Sequence, residues 1–97
     1  MYTSGVWNVT AGMEDAFEKE WQVSADRMSP DLPGVVFRLF RDSENGSRFV
    51  SLAGPWRNRE QIDAMRASEQ FQQMMLAMQP LLDSFEPSVY EPVIEVS

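Results

Sequence analysis

A strand that runs straight into an amphipathic helix constrains this chain more than any other feature. Between Ser47 and Leu82 the sequence reads SRFVSLAGPWRNREQIDAMRASEQFQQMMLAMQPLL. Phe49, Val50, Leu52 and Ala53 make an apolar strand, and Gly54-Pro55-Trp56 turns the chain. Asn58 stands as a helix N-cap, with Gln61 three residues on able to close the reciprocal half of a capping box. Ile62 and Met65 share one helical face. After Ser68, a second candidate N-cap, Phe71, Met74, Met75, Met78, Leu81, Leu82 and Phe85 continue at spacings of three and four. Pro80 should kink this helix or end it early. An apolar stripe of this length needs a sheet to lie on.

The remaining segments supply that sheet. Tyr2 to Thr10 carries Val6, Trp7 and Val9 and reads as a first strand, broken by Ala11-Gly12. Met13, Phe17, Trp21, Ala25 and Met28 recur at helical spacing, Glu14 and Asp15 suit the positive end of the helix dipole, and Ser29-Pro30 stops the helix. Val35 to Arg41 is a second strand, with Val35, Phe37 and Leu39 on one face and Val36, Arg38 and Phe40 on the other. Asn45-Gly46 signals a hairpin, so strands two and three should pair antiparallel. Ser84 to Pro87 reads as a connection and Val89 to Val96 as a last strand, with Pro92 marking an edge, a bulge or a crossing to a partner.

The order β-α-β-β-α-β is that of an α+β, ferredoxin-like fold with an antiparallel sheet, built as one domain over residues 1–97. Two helices cover only one face of such a sheet. Val36 and Phe40 on the other face, beside Arg38, point to a homodimer that closes it against a second copy. Asn8 and Arg38 fall on that side by parity, where Arg38 would need a carboxylate partner.

Composition removes whole classes of function. With 15 acidic against 8 basic residues, the net charge of −7 excludes a nucleic-acid backbone or an anionic membrane as partner. There is no cysteine, hence no disulfide and no thiolate metal site or nucleophile. There is also no histidine, which removes the usual base near neutral pH and the commonest metal and haem ligand. Neither a membrane-length apolar run nor a basic-then-apolar leader is visible, so a cytoplasmic protein needing no metal or cofactor is expected.

The segments RFVSLAGPW, RASEQF and FEPSVYE, with VWNVTAGMEDAFEKEW before them, resemble the antibiotic-biosynthesis-monooxygenase family. That resemblance implies a dimeric α+β barrel with one ligand pocket per protomer between helices and sheet. Trp56 stands where the family usually places a pocket tryptophan. The aromatic-polyketide oxygenase branch also has an Asn four residues before it and a Tyr six after; here those positions are Leu52 and Ile62. The Asn, Trp and His of the haem-degrading branch fall on Gly5, Met65 and Met75, so haem chemistry is not expected.

The candidate pocket wall is Trp7, Phe37, Trp56, Met65, Phe71 and Met75, with no catalytic residue assigned. Its thioethers could repack around a flat ligand, or the same stripe could simply be core. Tyr2 and Tyr90, on outer strands, could line a pocket mouth, though no motif supports either. The resemblance implies a cofactor-independent monooxygenase acting on a small aromatic or quinol-type substrate. The alternatives are a non-catalytic dimeric barrel that binds a small hydrophobic molecule and a purely structural dimer.

Overall fold

A computed structural model describes residues 1–97. The order is β1 (Tyr2–Val9), α1 (Glu14–Met28), β2 (Val36–Arg41), β3 (Arg48–Gly54), α2 (Arg59–Ala67), α3 (Glu69–Met78) and β4 (Leu82–Tyr90). The four strands form one antiparallel sheet in the order β2-β3-β1-β4, the ferredoxin-like arrangement expected from the sequence. Alternation along β1 is complete: Thr3, Gly5, Trp7 and Val9 are buried, and the residues between them are half-buried.

The buried face of the sheet meets the helices in two apolar groups. Trp7, Val9, Phe17, Phe49, Met74 and Met78 form the larger, and Val35, Trp56 and Ile62 the smaller. The opposite face carries no helix. Cross-strand register sets Glu86, Val6, Val50 and Phe40 in one row across it, with Ser88, Ser4, Leu52 and Arg38 in the next. Val36 and Phe40 there are 49% and 52% exposed, and Arg38 is exposed with no carboxylate in reach.

Three local features differ from the sequence reading. The long helix is two helices, because Ser68 adopts an extended conformation (φ −67°, ψ 151°). Its hydroxyl oxygen accepts from the Phe71 N–H at 3.2 Å and its O–H donates to the Met65 carbonyl at 2.6 Å, so one side chain closes α2 and opens α3. At the start of α2, Asn58 Oδ1 accepts from the Gln61 N–H at 2.9 Å, as an N-cap should. Gln61 Oε1 reaches back to the Arg57 N–H at 2.7 Å, one residue short of the expected capping box.

Strands β2 and β3 pair antiparallel, as the Asn45-Gly46 signal led one to expect, and a six-residue loop joins them. Asp42 Oδ1 gathers the N–H groups of Glu44 and Asn45 at 2.8 and 3.2 Å, which holds the loop without a two-residue reversal.

The last strand begins at Leu82, seven residues earlier than expected, and residues 91–97 have no regular structure. Pro80 lies in a 3₁₀ turn, Gln79–Leu81, that ends the helix and delivers the chain directly into the sheet. Pro87 is tolerated inside the strand because β4 is an edge, where a missing N–H costs no ladder bond on the solvent side.

Candidate functional site

Gly5 opens the space on which the site depends. A Cβ there would lie 2.6 Å from the Phe85 ring and 3.0 Å from both Trp7 Nε1 and Ser51 Oγ. Without it, Trp7 lies flat against Phe85, ring centroids 4.0 Å apart, and donates its indole N–H to Ser51 Oγ at 2.9 Å. Phe17 packs on Trp7 at 5.5 Å and is itself fully buried, so the indole has no freedom to turn.

Above this floor lies a cavity of about 70 Å³ between sheet and helices. Thr3, Trp7, Phe37 and Ser51 of the sheet, Trp21 and Met28 of α1, Met65 and Arg66 of α2, Phe71 and Met74 of α3, and Phe85 of β4 contribute to its wall. An apolar cavity that holds benzene is about 150 Å³. An aromatic ring therefore enters only if side chains withdraw. Met65, Met74 and Phe71 are the groups that can do so, since a thioether has three soft torsions and Phe71 is only half-buried.

Of the six residues singled out by sequence, Trp7, Phe37, Met65 and Phe71 line this cavity. Met75 lines a neighbouring groove between α3 and β4. Trp56 lines neither. It is 3% exposed at the strand–helix corner, edge-on to Phe37 at 6.3 Å, and its indole N–H is shared between Thr3 Oγ1 and the Ala53 carbonyl, both at 3.1 Å. Trp56 reaches the cavity only through Thr3 and Phe37, which it holds in place. Met65 packs against this corner as well as lining the cavity. Leu52 points to the uncovered face of the sheet, whereas Ile62 is wholly buried beside Trp56.

Sequence reasoning passed over Ser51 and Arg66. Each had a signal in its spacing. Ser51 sits between Phe49 and Ala53 on the parity that faces the helices, a polar residue on a buried strand face. Arg66 is four residues after the buried Ile62 and so shares its helical face.

The polar chemistry of the cavity is one-sided. Ser51 Oγ accepts from Trp7 and Thr3 Oγ1 accepts from Trp56, which leaves each hydroxyl proton free to be donated. Arg66 adds a guanidinium. No Asp, Glu or Tyr lines the cavity, so it offers hydrogen-bond donors and positive charge but no side chain able to take up a proton near neutral pH. No three carboxylates cluster closely enough to hold a metal ion. The groups with perturbed acidity lie elsewhere. Glu14 is lowered chiefly by the Ser47 hydroxyl, Asp42 by the Glu44 N–H, and Tyr90, on the uncovered sheet face, by the hydroxyls of Ser4 and Ser88.

A family model described as antibiotic biosynthesis monooxygenase matches residues 2–76. Among solved structures, a Deinococcus radiodurans protein provisionally described as an antibiotic biosynthesis monooxygenase superposes with a TM-score of 0.85 at 14% identity, over 99% of this chain and 95% of that one. A Nitrosomonas europaea protein with the same provisional description gives 0.84 at 13% identity, over 99% and 92%. An asparagine-to-alanine variant of SnoaB, a cofactor-independent oxygenase from Streptomyces nogalater, gives 0.84 at 19% identity, over 98% and 94%. At such identities the superpositions establish the fold alone. No curated protein matches the chain.

Proposed function

The chain belongs to the antibiotic biosynthesis monooxygenase family, and from that premise we propose that it is a cofactor-independent monooxygenase acting on a small electron-rich aromatic of the phenol or quinol type. The observation that carries this reading is the cavity itself: an aromatic-walled space between sheet and helices, with hydroxyl donors and one guanidinium in a mostly apolar lining. In the chemistry proposed, the ionised substrate is the reductant. At an activated ring carbon bearing two hydrogens, one atom of O2 becomes the carbonyl oxygen and the other leaves as water with those hydrogens, so no external reductant is consumed. The protein's part is to bind, orient and desolvate the ring.

In the same reading residues 1–97 act as one domain, in the cytoplasm, as a homodimer joined through the uncovered sheet face. Support for the dimer comes from Val36, Phe40, Val6, Val50 and Leu52, which place a continuous apolar surface there.

A second reading, a dimeric barrel that binds a small hydrophobic molecule without turning it over, is favoured by the cavity's lack of a carboxylate or tyrosine. Oxygen uptake separates the two. Anthrone-like phenols and quinols should be consumed faster with protein than without it under air and left unchanged under argon. Ala25 of α1 also lines the cavity, and Ala25→Leu, which adds three carbons there, should abolish the enhancement. Ligand-induced stabilisation without any oxygen uptake would leave the binding module standing and remove the enzyme.

A further inference from the structure

Arg66 is the one cation of this chain withdrawn from water without a protein partner. Arg41, Arg48 and Arg59 pair with Glu18, Asp42 and Asp63 at 3.9, 3.4 and 3.6 Å. Lys19, Arg27, Arg38 and Arg57 are unpaired but exposed. Arg66 is half-buried, has no carboxylate oxygen within 4 Å and donates no hydrogen bond to the protein. The groove it faces contains one carboxylate, Asp83, which already accepts from Thr10 Oγ1 at 2.8 Å.

Its position is as informative as its isolation. In the last turn of α2, Arg66 lines both the cavity and the neighbouring groove between α3 and β4, and so stands where the two adjoin. Phe71 and Phe85 share both walls with it. A guanidinium beside Phe71 and Phe85, next to a cavity whose two hydroxyls each keep a free proton to donate and which holds no carboxylate, complements a ligand that brings the negative charge itself. In a chain of net charge −7 such a site needs a local cation to overcome the surrounding field.

We propose that Arg66 binds the ionised oxygen of an aromatic ligand whose ring occupies the cavity, so that the substrate class is phenols taken up as phenolates. This rests on the reading of the cavity as the substrate site. It also accounts for a cavity with no base: the proton is lost to solvent because Arg66 favours the anion, not because a side chain removes it.

The test uses 4-nitrophenol under argon, because its neutral and ionised forms absorb at different wavelengths and it is not oxidised there. Bound to the wild-type protein, it should ionise at lower pH than in free solution, by about one pH unit for a tenfold preference. 4-Nitroanisole, which cannot ionise, should bind about tenfold more weakly or worse. Arg66→Gln should remove the shift, and Arg66→Lys should keep part of it. Unaltered melting of each variant, followed by circular dichroism, identifies the loss as one of charge recognition; if Arg66→Gln does not fold, Arg66→Lys and the 4-nitroanisole comparison decide. An unshifted titration in the wild type, equal binding of 4-nitroanisole, a shift that survives Arg66→Gln, or no binding of 4-nitrophenol at all would overturn the proposal. Anion preference without oxygen uptake would uphold Arg66 and refute the oxygenase; oxygen uptake without anion preference would do the reverse.

Discussion

Replacing Trp56 by Phe separates a structural tryptophan from one that serves the ligand. The indole N–H is shared between Thr3 Oγ1 and the Ala53 carbonyl, and both bonds are lost in the variant. Leaving a buried acceptor unpaired costs about 1–3 kcal/mol. The smaller ring forfeits roughly another 1 kcal/mol of burial at a residue that is 3% exposed. Against a stability of about 5–15 kcal/mol for a domain of this size, a loss of about 2–4 kcal/mol is severe but survivable. At about 4–8 °C per kcal/mol, Tm should fall by about 8–30 °C, whereas ligand affinity should change less than about twofold because the indole does not line the cavity. Trp56→Ala should cost more, about 3–5 kcal/mol. Thr3→Val, combined with Trp56→Phe in a double-mutant cycle monitored by thermal melting, should reveal a coupling of about 0.5–1.5 kcal/mol. An unchanged Tm in Trp56→Phe together with a tenfold loss of ligand affinity would refute this reasoning, since the N–H would then have to turn toward the ligand.

Other substitutions probe the parts that build the site. Gly5→Ala should lower stability by about 1–3 kcal/mol, because the new methyl meets Phe85 and the Trp7–Ser51 pair at 2.6–3.0 Å, and tryptophan fluorescence should report the displaced indole. Ser68→Ala removes the cap shared by α2 and α3 and should cost about 1 kcal/mol, read as a Tm lower by about 4–8 °C. Glu14 tests the acid limb of stability. Its carboxylate accepts from the Ser47 hydroxyl and the Gly12 N–H, and its pKa lies below the ordinary 4.5 in the folded protein. A depressed folded-state pKa contributes stability above the unfolded value that is lost as pH falls through the folded one. Tm of the wild type should therefore drop more steeply below about pH 4.5 than that of Glu14→Gln.

What was legible in the sequence, and what was not, follows from the range over which each signal acts. Periodicity and caps act within a few residues, so the strand order, the helix in the first half and the roles of Asn58 and Ser68 as caps could be read directly. The last strand could not. Leu81, Leu82 and Phe85 continue the helical spacing of α3, and only the turn at Pro80 with pairing of Phe85 to Trp7, 78 residues away, turns that run into β4. Long-range pairing overrode a local period. The pocket divided in the same way: Trp7, Phe37, Met65 and Phe71 were visible as apolar residues on inward-facing positions, but whether Trp56 faces ligand or core depends on Thr3, 53 residues away.

The polar part of the site gives the most informative divergence. Where the family's aromatic-polyketide oxygenase branch has an Asn and a Tyr beside its tryptophan, Leu52 turns to the uncovered sheet face and Ile62 fills the corner behind Trp56. Neither can donate a hydrogen bond. In the proposed reading their work passes to Ser51, one residue along β3 on the inward parity, and to Arg66, one helical turn after Ile62. Ser51 accepts from Trp7 and keeps its proton free to donate, while Arg66 can only donate, and neither is a base near neutral pH. Such a pair cannot hold a substrate by accepting its proton; it can hold one that has already lost it. Ser51→Ala should then weaken phenolate binding by about 3–10-fold and Arg66→Gln by more, because a hydrogen bond from a charged donor is worth about twice a neutral one. Isothermal titration under argon measures both. A larger loss in Ser51→Ala than in Arg66→Gln would show that the hydroxyl, not the cation, recognises the ligand oxygen.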